Sequence, residues 1–293
     1  MSAIFQRAKW IANVATGRTN AGRNLTVLAD DIYLVSYPRS GNTWTRFLIA
    51  NLLDHENPPS FADIEARIPA INLWPDKVLL QSPRPRILKS HEYFDPRYGQ
   101  VIYIVRDPRD VAVSMYHYSI KRKEIGDDYP MEHFVRRFIR GEFMSDFANW
   151  EDHLRSWTGT RAGRGEFLLL RYEDMQTNLE RELAKIAAFL NVSRTPDDLA
   201  RSARLSSAER LRELERQQSG QWKLTKNTRK DKPFVRSANS GSWKEVLSAE
   251  SVAEIEHVWG RTMQEFGYEL VSEQSAEVIK AGATTTEFAR QRH

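Results

Sequence analysis

The sequence predicts an α/β fold in three layers, with a central, mostly parallel sheet flanked by helices, and three observations carry that prediction. Short β-rich runs of largely apolar residues alternate with longer helical stretches, as buried parallel strands and their crossovers do. The first run passes through a small polar turn directly into a helix, in "IYLVSYPRSGNTW" at 32–44. The third ends at Asp107-Pro108-Arg109-Asp110, where Asp107 reads as an N-cap and Pro108 as the first helical residue.

Taken in order, the strands are expected at 31–37, 86–90, 100–106 and 166–172. A helix over 42–53 follows from Trp44, Phe47, Leu48, Asn51 and Leu52 at helical spacing. Further helices are expected at 131–138, 144–156 and 179–190, and another beginning at Pro196 behind the cap Thr195. Ser206 and Glu209 read as a capping box for the next, and 250–266 sets Val252, Ile255, Val258, Trp259 and Met263 on one face. From 217 to 242 the chain is polar, rich in lysine and without periodicity, which reads as a loop acting as a lid, with solvated charge as the competing reading. The segment 5–14 reads as an amphipathic helix docked on the body, with a membrane surface as the other reading, and 283–293 as a frayed tail. The whole chain, 1–293, is expected to form a single domain.

Composition narrows the function. With 41% hydrophobic and 11% aromatic residues the chain has the material for a proper core. Forty-three Lys and Arg against 39 Asp and Glu leave +4, a mild excess that suits an anionic small molecule better than nucleic acid. The absence of cysteine excludes disulfides, thiolate metal sites and thiol redox chemistry, and favours a reducing compartment. No apolar run approaches the ~20 residues that span a bilayer, and no signal-peptide core precedes Asp30. A soluble cytoplasmic protein is expected.

The turn after the first strand aims backbone N–H groups and a helix dipole at one point, the outline of a phosphate or sulfate cradle. It lacks the Gly-x-x-x-x-Gly-Lys-Ser/Thr spacing of ATPases and kinases. It is similar instead to the phosphosulfate-binding loop of the cytosolic-type sulfotransferases, Tyr-Pro-Lys-Ser-Gly-Thr-Thr-Trp, standing here as Tyr37-Pro38-Arg39-Ser40-Gly41-Asn42-Thr43-Trp44 with six of eight positions in agreement. A second stretch, "YIVRDPRDVAVSMYHY" at 103–118, resembles the family's Arg-Asn/Asp-Pro-Lys/Arg-Asp-x-x-x-Ser segment, which holds the 3′-phosphate of the donor. Arg106 at a strand end and Ser114 two turns into the next helix can reach one cluster of phosphate oxygens. A third, "FVRSANSGSWKEVL" at 234–247, is similar to Arg-Lys-Gly-x-x-Gly-Asp-Trp-Lys, with Arg236, Gly241, Trp243 and Lys244 in register. Ser237 stands for the family's Lys, Ala238 for Gly and Ser242 for Asp, which removes one charge and one close backbone approach and lowers the expected donor affinity.

The resemblance implies a single donor, 3′-phosphoadenosine-5′-phosphosulfate (PAPS), used without a metal. It implies a donor site of Arg39, Ser40, Gly41, Asn42, Thr43, Trp44, Arg106, Ser114, Tyr172, Arg236, Ser237 and Ala238, with Trp44 and Tyr172 near the adenine. Ordinary packing is the competing reading of those two aromatics. His91 in "ILKSHEYF" matches the family histidine that deprotonates an acceptor hydroxyl, and an imidazole suits that task at neutral pH. Lys89, on the same face of the extended segment, is placed to hold the moving sulfuryl group. Arg39 stands where the family has lysine; a guanidinium offers charge and a fork of donors but no transferable proton, so Lys89 inherits the proton-donor role. His91, Arg39, Lys89 and Ser114 thus form the expected catalytic set.

The partner is a small-molecule hydroxyl acceptor, with Trp74, Tyr93, Phe94, Phe143, Trp150 and Trp222 as candidates for an apolar mouth or else for packing. Glu92, where the family commonly has an apolar residue, points to a more polar or cationic acceptor. The family's short C-terminal dimer motif has no clear counterpart after Lys244, so the sequence is silent on oligomeric state. Two other classes share part of the pattern. One is a P-loop-type nucleotide kinase, disfavoured by the missing Lys-Ser/Thr signature; the other is a binding protein, either of an adenine nucleotide without catalysis, disfavoured by His91, or of nucleic acid through the basic loop near Lys226, disfavoured by the small net charge.

Overall fold

Four strands, β1 (Ile32–Ser36), β2 (Ile87–Ser90), β3 (Gln100–Val105) and β4 (Phe167–Arg171), pair only in parallel, in the order β2-β1-β3-β4. Each lies within one residue of its expected bounds. The structure, a computed structural model, describes residues 20–218, 220–236 and 239–272. The helix expected at 5–14, the tail at 283–293, and Ser237 and Ala238 of the donor set lie outside the described residues.

α1 (Asn42–Leu53) follows β1, and two short helices, α2 (Ile64–Arg67) and α3 (Asp76–Leu79), occupy the way to β2. Between β3 and β4 run α4 (Pro108–Lys121), α5 (Met131–Ile139) and α6 (Trp150–Arg161). After β4 come α7 (Tyr172–Thr177), α8 (Leu179–Phe189), α9 (Pro196–Leu205) and α10 (Ala208–Gln218), then a loop, α11 (Trp243–Val246) and α12 (Ala249–Glu265).

The layering follows from the two-residue period of the strands. Tyr33 and Val35 of β1 and Val101, Tyr103 and Val105 of β3 enter one core with α4, α5, α6 and α12. Their neighbours Ile32, Leu34, Ile102 and Ile104 enter the other with α1 and α7 to α10. With both faces covered, the strands are apolar on both sides, which is why they read as runs and not as alternations.

Local capping chemistry explains where helices begin. The Asp107 side chain accepts from the Arg109 N–H at 2.9 Å with Pro108 at the first helical position, and Thr195 and Asp198 form a reciprocal capping box. The helix expected over 144–156 is corrected. A 3-10 segment, Glu142–Phe147, lies between the left-handed residues Gly141 (φ 73°) and Ala148 (φ 64°), and α6 starts only at Trp150, with Asn149 accepting from the Asp152 N–H at 2.9 Å. The cap of α10 is Ser207, which accepts from the Arg210 N–H, because the hydroxyl of Ser206 is taken by Asn51 across the core. On α12, Val252, Ile255, Trp259 and Met263 are buried, but Val258 is 49% exposed. At about 100° per residue, position 258 falls on the flank of that stripe.

Gln217 and Gln218 belong to α10, so the expected loop begins after them. It is docked at both ends of its first half. Trp222 is buried and donates to Glu65 Oε1 at 3.1 Å, while the buried Lys121 ammonium donates to the carbonyls of Arg229 (3.0 Å) and Lys232 (2.5 Å). Among the described residues no helix is long and apolar enough to cross a membrane.

Candidate active site

All four strands deliver a site residue at their C-terminal ends, where open parallel sheets bind ligands. β1 leads into the turn 37–41, β2 into His91, β3 into Arg106 and β4 into Tyr172. The turn is bent by two left-handed residues, Arg39 (φ 70°) and Gly41 (φ 96°). Glycine is required at 41 twice over: a Cβ there would lie 2.5 Å from the Tyr172 ring. Past Gly41, the N–H groups of Asn42, Thr43 and Trp44 form the first turn of α1, beyond the reach of intrahelical carbonyls and at the positive end of its dipole. The Asn42 side chain itself points back, donating to the Leu34 carbonyl and Ser36 Oγ at 3.3 Å each. Arg106 braces the turn: it donates to the Arg39 carbonyl at 3.2 Å and to the Asn239 carbonyl at 3.0 Å, with its guanidinium 4.2 Å from the centre of the Tyr172 ring.

These residues border a cavity of about 400 Å³. Arg39, Lys89, Arg106, Arg122 and Arg236 line it, together with His91, and none of its described lining residues is an Asp or Glu. Burial, with Arg106 and Arg236 adding repulsion, holds Arg39 down to about 10 in spite of Tyr118. Burial and then the neighbouring Arg46 lower Lys89 to about 7, against the pull of Glu65. Burial and Arg106 lower Arg236 as well. Several polar groups here are left over. Among the described residues, the Arg39 side chain donates through its Nε, to Ser114 Oγ at 3.1 Å, and Lys89 donates to Asn72 Oδ1 at 3.5 Å. The buried Arg106 Nε and Ser40 Oγ have no partner among the described residues. Positive charge gathered without counter-charge, beside free donors, fits a polyanion.

The His91 ring has a fixed tautomer. Its Nδ1 lies 2.7 Å from the Ser36 carbonyl, which can only accept, so Nδ1 carries the proton and Nε2 keeps its lone pair. Burial foremost, then Lys89, puts its pKa well below 6.5, so the ring is neutral near pH 7. A second histidine, not singled out in the sequence, stands behind it. His153 Nε2 donates to the His91 carbonyl at 3.0 Å and its Nδ1 accepts from the Tyr103 hydroxyl at 2.8 Å; burial lowers it to about 4.

Of the expected donor and catalytic sets, Arg39, Gly41, Asn42, Thr43, Trp44, Lys89, His91, Arg106, Ser114, Tyr172 and Arg236 meet at this one cavity, while Ser40 lies buried beneath the turn. Trp44 donates to the Ser206 carbonyl at 3.0 Å and stands edge-on to Tyr172. None of the six aromatics proposed for an apolar mouth lines the cavity. Trp150 and Trp222 are core residues, Trp74 donates to Glu65, Phe94 packs on Trp157, and Phe143 stacks on Phe134. Met144 and Phe147 take that place, with the Phe147 ring 5.9 Å from that of His91. Glu92 also turns away, accepting from Arg23 at 3.3 Å, which removes the argument for a cationic acceptor. Tyr118 and Phe234 are further lining residues that the sequence did not mark.

Comparison with known proteins agrees with this geometry. Residues 29–267 match the family model of the sulfotransferase domain. The amine sulfotransferase of Oryctolagus cuniculus is 24% identical over 249 residues, covering 81% of this chain and 82% of that protein. Sulfotransferase 2B1 of Homo sapiens is 32% identical over 177 residues, 55% of this chain, and the match spans about half (46%) of that protein. Among solved structures, a retinol dehydratase in complex with androsterone and inactive cofactor PAP superposes with a TM-score of 0.70 at 18% identity, covering 87% of this chain and 86% of that one. A mouse sulfotransferase complexed with PAP gives 0.68 at 23% identity, over 90% and 92%. At these identities the structural likeness speaks for the fold.

Proposed function

We propose that this chain, which belongs to the sulfotransferase family, transfers the sulfuryl group of PAPS to a hydroxyl of a small, largely apolar acceptor in the cytoplasm. The observation that carries the reading is the cavity itself, which is lined by five cationic side chains, a helix N-terminus and a neutral histidine whose Nε2 keeps its lone pair. The turn 38–44 would hold the phosphosulfate, Arg106 and Arg236 the 3′-phosphate, and Trp44 and Tyr172 the adenine. Met144 and Phe147 would hold the acceptor beside His91.

In the transfer, His91 Nε2 takes the acceptor proton as the acceptor oxygen forms its bond to sulfur. The bond between sulfur and the bridging oxygen breaks, and its electron pair stays on the 5′-phosphate of adenosine 3′,5′-bisphosphate (PAP). Arg39 and Lys89 face the charge that develops on the bridging and sulfuryl oxygens, a stabilisation strongest in a water-poor site. Lys89 carries a proton it can give up near neutral pH, and Arg39 does not. Ser114 steers Arg39 through its Nε.

Calorimetry with PAP and with ATP, followed by transfer from radiolabelled PAPS to a panel of alcohols and phenols, tests the reading. Preference for PAP and labelling of an acceptor are expected. Preference for ATP, or PAP binding with no transfer to any acceptor, would sink it.

A further inference from the structure

Tyr118 and Phe234 meet edge to face at 83°, their centroids 5.9 Å apart, and so form a right-angled aromatic corner. The guanidinium carbon of Arg39 sits in that corner, 4.6 Å from one centroid and 4.7 Å from the other. Ser114, Tyr118 and Lys121 recur at four- and three-residue spacing and so share one stripe of α4. Ser114 holds Nε, Tyr118 forms one wall, and Lys121 anchors the loop that brings the other. That loop is pinned at Phe234: the Glu215 carboxylate accepts from the Phe234 N–H at 2.5 Å and the Val235 N–H at 2.8 Å, and lies 3.7 Å from the Lys121 ammonium. With Nε and both walls occupied, the two terminal nitrogens of Arg39 have no partner among the described residues and can face a ligand.

We propose that Tyr118 and Phe234 are positioning residues that hold Arg39 as a fixed fork toward the transferring group, so that the active site is complete only while the loop segment 220–236 is docked. The inference rests on the sulfotransferase reading. A flexible arginine would spend rotamer freedom on each turnover; one set in an aromatic corner has lost it beforehand, and the rings favour its charge. Docking of Phe234 thereby becomes a condition for catalysis and not merely for closure.

A double-mutant cycle separates this from a loop that only shields the cavity. Phe234→Leu keeps apolar bulk and removes the ring; it is expected to lower single-turnover transfer about tenfold, while Phe234→Tyr, which keeps the ring, stays within about twofold of the parent. PAP affinity of Phe234→Leu, measured by calorimetry, is expected within about threefold of the parent, since most donor contacts are elsewhere. In an Arg39→Ala background the same Leu substitution is expected to change the rate by less than about twofold, because the group it positions is gone. An equal loss in both backgrounds, or no loss in the parent, overturns the inference and leaves the sulfotransferase reading standing. A parent protein that transfers nothing overturns both.

Discussion

Replacing Lys89 by arginine should remove the alkaline limb of the pH profile and also lower its plateau, because a guanidinium keeps the charge but has no transferable proton. Lys89 is 3% exposed, sits among Arg46, Glu65 and the cavity cations, and is lowered to about 7. In the proposed mechanism its protonated form is the active one, so rate should be lost as pH rises. One unit above that value, at pH 8, about a tenth of the free enzyme carries the charge, and kcat/KM should fall about tenfold from its plateau. Arg39, at about 10, titrates too high to produce this limb. The bound polyanionic donor favours the charged lysine, so the same limb in kcat should appear at higher pH. Arginine does not titrate in this range, and Lys89→Arg should therefore give a kcat/KM flat from pH 6.5 to 9. The assay is initial-rate transfer from radiolabelled PAPS to an aliphatic alcohol, whose hydroxyl stays protonated throughout. A parent profile flat to pH 9, or a Lys89→Arg limb unmoved near 7, would refute the assignment.

His91→Asn should cut kcat by about 10²- to 10⁴-fold, the worth of a general base, with PAP affinity unchanged by calorimetry. Because His91 lies well below 6.5, the parent should show no loss of neutral base between pH 7.5 and 6.5. Gly41→Ala should weaken PAP binding at least about tenfold, since it combines left-handed strain with a clash on Tyr172. His153→Phe leaves the His91 carbonyl and the Tyr103 hydroxyl unpaired; about tenfold in kcat with unchanged PAP affinity is expected, and His153→Gln, which restores a donor, should recover most of it.

Much of the fold was legible because its signals are local. Apolar runs ending in turns marked all four strands, and Asp107-Pro108 and Thr195-Pro196 marked helix starts through chemistry confined to four residues. The misses have distant causes. Ser206 and Ser207 are equally good caps until Asn51 claims one of them. The break before Trp150 did carry a local sign, since Asn149 and Asp152 stand at capping distance, but the helical pattern around it was the stronger. In the site, residues at strand ends were recoverable because strand ends share one edge of a parallel sheet. Met144, Phe147, Tyr118 and Phe234 were not, because an aromatic's type does not say whether it faces a core or a cavity. His153 offered no motif; its role comes from a carbonyl 62 positions earlier in the chain.

The brace between Arg106 and the carbonyls of Arg39 and Asn239, with Tyr172 pressed on Gly41, has a bearing on biogenesis. The anion cradle begins near residue 37, yet its shape is imposed by Arg106, Tyr172 and Asn239, which leave the ribosome 69, 135 and 202 residues later. Affinity for the proposed donor would therefore be a late acquisition of the growing chain, and the Tyr37 to Trp44 stretch would not carry it as a transplantable module.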